Sequence, residues 1–140
     1  MKKLFTTLLF AASLALSACG SKIYKGEESK ASLEKKEYTV VLLSEAEAKL
    51  LISGINFDDV TLKSVVRADK GKDEDKDFFL GFYFDSIEEA EKFNSKNDNQ
   101  NLALMSKYAE IELGSNLKSK VGSHNNVAYV GSETSFKAAF

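Results

Sequence analysis

Seven consecutive residues, Phe78-Phe79-Leu80-Gly81-Phe82-Tyr83-Phe84, constrain this chain more than any other stretch. In an extended conformation successive side chains point to opposite faces, so Phe78, Leu80, Phe82 and Phe84 share one face while Phe79 and Tyr83 flank Gly81 on the other. A strand this apolar on both sides belongs in the middle of a sheet, with the four-residue face on the core. Two fates are open to the second face. It stays exposed as a binding surface, or C-terminal helices bearing Phe136, Ala139 and Phe140 fold over it.

The flanking patterns place that strand in an α+β domain. Tyr38 to Leu43 is rich in β-branched and aromatic residues and fits a short buried strand. It stops at Ser44, which forms a capping box with Glu47; Ala48, Leu51, Ile52 and Ile55 then fall on one helical face, and Gly54 stands where a left-handed residue is wanted, predicting a helix over 45–53. From Val60 to Ala68, Val60, Leu62, Ser64, Val66 and Ala68 alternate with Thr61, Lys63, Val65 and Arg67, a second strand joined to the third through the polar stretch Asp69 to Asp77. Ser86 and Glu89 make another capping box, opening a helix over 87–95 that Asn94 to Asn101 interrupts. Leu102 to Leu113 carries both helical and alternating spacings, and we read it as a helix. Val127 to Val130 is a last strand, and Ser132 caps a terminal helix.

This order of elements is that of a split β-α-β, ferredoxin-like two-layer sandwich with extra C-terminal helices, spanning residues 38–140. In it the strand 78–84 is central, and its second face lies beside Lys63, Val65 and Arg67. Phe79, Gly81, Tyr83, Lys63 and Arg67 are therefore the candidate binding face.

Chemistry is narrowed by what is scarce. The chain has 140 residues, 44% of them hydrophobic, with one cysteine and one histidine, so it suits one domain and excludes a disulfide framework or a four-ligand Cys/His zinc site. Asp73-Glu74-Asp75-Lys76-Asp77 alternates carboxylates as a calcium loop does, but counting from Asp73 the required glycine and glutamate positions hold Phe78 and Phe84. We read it as a solvated hairpin tip. His124 lies among the turn formers Gly122 to Asn126 and reads as a surface loop residue, without a Gly-x-Ser-x-Gly elbow or a Walker or Rossmann motif nearby. The expectation is no enzyme, no catalytic residue, no cofactor and no metal. Lys2 and Lys3 are the only charges among the first eighteen residues, so the remainder carries a net −4 against −2 for the whole chain. An acidic body is a poor partner for nucleic acid, even though RNA-binding domains of this architecture stack bases on sheet aromatics.

The N-terminus speaks of destination. Lys2 and Lys3 precede the uncharged apolar run Leu4 to Leu16, which with the residues up to Cys19 is short of the roughly 20 that a helix needs to cross a bilayer. The run ends in Leu16-Ser17-Ala18-Cys19, which resembles the lipobox of bacterial lipoproteins. The resemblance covers residues 1–19. It implies a signal peptide over 1–18, cleavage between Ala18 and Cys19, a diacylglycerol thioether on Cys19, and acylation, such as by palmitate, of the new amino group. Residues 19–37, with mixed charges and few apolar side chains, read as a lipidated cysteine and flexible tether of about 23 Å r.m.s. span.

The expected protein is thus held by lipid on the extracytoplasmic side of the cell envelope, in the outer membrane if the cell has one. Its folded part is expected to be a non-enzymatic module binding a protein or envelope component. The alternatives are a small-ligand or transport-accessory lipoprotein and, more distantly, an envelope hydrolase.

Overall fold

A computed structural model describes residues 22–72, 75–113 and 119–140 of the chain. Among them the elements run α1 (Gly26–Lys35), β1 (Thr39–Leu43), α2 (Glu45–Leu51), β2 (Leu62–Lys70), β3 (Asp77–Phe84), α3 (Ile87–Ser95), α4 (Gln100–Leu113), β4 (Lys120–His124), β5 (Val127–Gly131) and α5 (Glu133–Ala139). The strands form one open sheet in the order β1-β2-β3-β5-β4, every neighbouring pair antiparallel. The α+β class and the central place of β3 follow the sequence reading. The strand order departs from the split β-α-β arrangement, because β1 pairs directly with β2 and lies at an edge.

The starts of α2, α3 and α5 are set where serine hydroxyls accept from the third residue on. Ser44 and Glu47 form the full reciprocal capping box. Ser86 accepts from Glu89 N–H, but the Glu89 carboxylate turns away and accepts from Thr61 N–H, tying α3 to the approach to β2. The break before α4 is made by Asn97, Asp98 and Asn99, all at positive φ, a conformation their short polar side chains tolerate.

The first face of the sheet carries the main core. Phe78, Leu80, Phe82 and Phe84 pack with Val65, Ala128 and Val130 under Ala48 of α2, Ala90 and Phe93 of α3, and Met105, Tyr108 and Ala109 of α4. Phe93 is central: its ring stacks on Phe57 at 5.4 Å and tilts against Phe82 and Phe84 at 5.6 and 5.0 Å.

The second face is covered as well. Phe79, Tyr83, Val66, Ala68 and Val127 pack under Leu33 of α1 and Ala138 and Ala139 of α5, and the two helices are joined by Ser32 Oγ donating to the Ala138 carbonyl at 2.6 Å. Helix α1 corrects the tether expected over residues 19–37. It presents Gly26, Ser29 and Leu33 inward, so most of its buried stripe is small. Gly26 lies so close to β2 that a Cβ there would collide with the Ser64 side chain. The helix has no side-chain N-cap and only one large buried apolar residue, and these are the two features by which such a helix is recognised in a sequence.

Strand β4 also went unforeseen, and it draws His124 out of the expected surface loop into the sheet. The other end of the hairpin tip departs too: Asp77 belongs to β3, accepts from Phe78 N–H and is bonded by the Tyr38 and Ser132 hydroxyls. Asp73 and Glu74 lie outside the described residues.

Candidate functional site

The structure does not bring the five candidate face residues together. Phe79 has no exposed surface and Tyr83 has 1%, and their rings close over Gly81: a Cβ on Gly81 would stand 2.9 Å from atoms of both. The space beside Gly81 is therefore already filled. Phe79 stacks with Tyr129 at 6.4 Å and meets Phe140 edge-on at 5.9 Å. The Tyr83 hydroxyl is buried beside Ser29, and burial pushes its pKa up.

Register explains why Arg67 is elsewhere. Across β2 and β3 the pairs are Ser64 with Tyr83, Val66 with Gly81 and Ala68 with Phe79, so Val65 and Arg67 share the first face with Phe82 and Leu80. A bulge between Leu62 and Ser64 breaks the alternation read from Val60 to Ala68. Because strand period is two, one extra residue sends the residues beyond it to the opposite face from the one the alternation suggests. Lys63 sits at that bulge, largely exposed, 3.6 Å from Asp85.

Arg67 instead organises a polar cluster at the margin of the first core. Its Nε donates to Tyr108 Oη at 3.2 Å, and its terminal nitrogens lie 3.1 Å from Asp69 and 3.4 Å from Glu112, which Lys76 also reaches at 2.9 Å. Burial pushes the Asp69 carboxyl up, and Arg67 and Lys76 counter this only in part. For Glu112 burial acts in the same direction but is outweighed by the Lys76 hydrogen bond and charge and by Arg67, so its carboxyl is held down. Every charge in the cluster has a partner, which suits a joint between β2 and α4.

Two other places do offer surface. At the edge, β1 carries no charged residue, and Val41 and Leu42 are 47% and 40% exposed on opposite sides. The strand was expected to be buried; its edge position leaves it half open. Leu50 of α2, 86% exposed, stands over a groove of about 360 Å³ lined by Val41, Leu43, Leu51 and Arg67.

The second place is the lock on the N-terminal segment. Tyr24 N–H donates to Asn126 Oδ1 at 2.7 Å, and Asn126 Nδ2 returns bonds of 2.9 Å to the carbonyls of Tyr24 and Phe84. Asn125 Nδ2 donates to the Lys22 carbonyl at 2.8 Å. His124 faces the rings of Tyr24, Phe136 and Phe140 at 5.1, 5.2 and 4.8 Å, and burial lowers its pKa. Beside this lock a cavity of about 350 Å³ opens among Ile23, Lys25, Gly26, Lys63 and Tyr83. Sequence reading took Asn125 and Asn126 for turn formers only; nothing local shows that an amide pair will hold a backbone a hundred residues away.

Cys19 and Ala18, the lipid-attachment and cleavage positions, lie outside the described residues. Among the described residues no helix is long and apolar enough to cross a membrane, and no three His, Cys, Asp or Glu side chains gather as metal ligands do. Fold and surface thus define an α+β domain with an antiparallel sheet covered on both faces and one apolar edge. No family model, curated protein or solved structure matches the chain.

Proposed function

We propose that this chain is a lipid-anchored lipoprotein of the extracytoplasmic side of the cell envelope, and that its domain is a non-enzymatic module binding a protein or envelope component. One observation carries the anchor: Lys2-Lys3, the uncharged run Leu4 to Leu16 and Leu16-Ser17-Ala18-Cys19 stand in the order and at the spacing that export, lipidation and cleavage require. Acyl chains add about 0.8 kcal/mol per buried methylene, so two or three hold a protein to a bilayer for its lifetime. Metabolic labelling with palmitate checks it. The full chain is expected to take up label, and Cys19→Ser to lose the label and accumulate as uncleaved precursor; a Cys19→Ser chain that is still labelled and cut would end the reading.

For binding, the β1 edge supports addition of an extended segment from a protein partner. Unpaired backbone groups supply the hydrogen bonds, while Val41 and Leu42 offer apolar contact on the two sides. A photo-crosslinking residue at Leu50 is expected to capture one discrete envelope component in cells, and Leu42→Lys to abolish the capture with little change in stability. Undiminished capture in Leu42→Lys removes the edge from consideration. The cavity beside Tyr83 favours a second reading, a small-ligand or transport-accessory role, for which thermal stabilisation by a compound from an envelope extract is the discriminating measurement.

A further inference from the structure

The site of the N-terminal lock dictates which way the domain faces. Lys22 is already held through its carbonyl by Asn125, and Tyr24 is held on both sides of its peptide by Asn126. Only three Cα steps separate Cys19 from Lys22, and an extended chain covers about 3.5 Å per step, so the first held residue lies within roughly 11 Å of the Cys19 backbone. A domain on so short a lead has no freedom to stand off or turn over. From this, together with the anchor proposed above, on which it rests, we infer that the end of the domain carrying Lys22 to Lys25, the β4–β5 turn and Lys63 is seated on the headgroup layer of the bilayer.

The segment nearest the anchor fits an anionic lipid surface, while in the adjoining cavity Glu27 and Asp85 offset Lys63. Residues 20–25 carry Lys22 and Lys25 and no carboxylate, and Lys22, Ile23 and Lys25 are all exposed, Ile23 by 44%. An exposed isoleucine between two lysines enters the interface while the ammonium groups stay among the phosphates. Tyr24, between them, has Lys22 Nζ 4.7 Å from its ring and its backbone fixed, so the segment is presented in one conformation. The opposite end of the sheet is the β2–β3 connection. Asp69 to Asp77 contains five carboxylates and three lysines, and the strand from Leu62 to Lys70 holds it about 26 Å away. The basic segment is thus turned toward the bilayer and the acidic connection away from it.

The chain has no tryptophan, so a single introduced indole reports its own surroundings. The experiment uses the full chain, expressed with its leader, labelled with palmitate, and reconstituted into phosphatidylethanolamine and phosphatidylglycerol vesicles whose acyl chains are brominated near the headgroups. Ile23→Trp replaces an exposed side chain, and Lys72→Trp probes the far connection. Labelled protein in which Ile23→Trp emission is blue-shifted and quenched, while Lys72→Trp stays solvent-like, supports the seated orientation. Labelled protein with both indoles unquenched, or both quenched alike, overturns it and leaves the anchor standing. Unlabelled protein overturns the anchor and the orientation together.

Discussion

Phe82 and Phe79 stand on opposite faces of β3, both with no exposed surface, and the helices that cover them are of different kinds. Over Phe82 lie α3 and α4, which bring Phe93, Met105 and Tyr108 of their own. Over Phe79 and Tyr83 lie α1 and α5, whose buried positions are Gly26, Ser29 and Leu33 on one and Ser135, Ala138 and Ala139 on the other. Packing at native density requires that volumes sum correctly, and it is indifferent to which partner supplies them. On the second face α1 lies so close to β2 at Gly26 that only small residues fit between them, and Phe79 and Tyr83 fill the remaining volume from the sheet. An apolar sheet face therefore does not require a visibly apolar helix to cover it.

The strongest way to break this comparison is to remove one cover entirely. Deleting residues 1–36 strips Leu33 and the close contact of Gly26 with β2 at one stroke, and exposes Tyr83 and Val66. The deleted chain is expected to lose cooperative thermal unfolding and bind a hydrophobic dye. A sharp transition unchanged from that of the chain lacking residues 1–21 would mean that α1 is dispensable and the second face no true core.

Single truncations sharpen it. Phe82→Ala and Phe79→Ala should each cost about 3–5 kcal/mol in urea denaturation, since both remove a fully buried ring. Equal costs establish two cores of equal standing. A Phe79→Ala cost below about 1 kcal/mol would show the second face relaxing around the gap.

The smallest effect belongs to His124, where the second face meets the N-terminal lock. Its pKa lies below the ordinary value of 6.5 because burial disfavours the cation, so the folded state binds fewer protons than the unfolded one. The stability this contributes is present above about pH 6.5 and declines as pH falls through the folded value. Because the ring is partly exposed the effect is modest, and it is measured as a difference. Between pH 7.5 and 5.5 the parent chain should lose slightly more stability than His124→Phe, and equal losses would put the titration elsewhere.

Much of the first face was legible from sequence, and for identifiable reasons. The capping box at Ser44 and the hydroxyl cap at Ser86 set helix starts through contacts three residues apart, and the spacing of Ala90 and Phe93 shows which side is buried. The candidate site was less legible. Arg67 falls on the opposite side from the one its alternation suggests because the bulge after Leu62 leaves no local mark, and both alternating sets of β2 contain valine. Gly81 was identified as a gap in an aromatic row, but whether the gap invites a ligand or takes the neighbouring rings depends on what lies above the sheet.

The sequence by itself determined the apolar central strand, the helix caps, the scarcity of cysteine and histidine and the order of charged, apolar and small residues before Cys19, because each depends on neighbours within a few positions. Only the tertiary structure decided that β1 is an edge, that α1 closes the second face, and that Asn125 and Asn126 grip the N-terminal segment. Those outcomes join residues far apart along the chain. They turn on register, volume and backbone hydrogen bonds, none of which any short stretch of residues encodes.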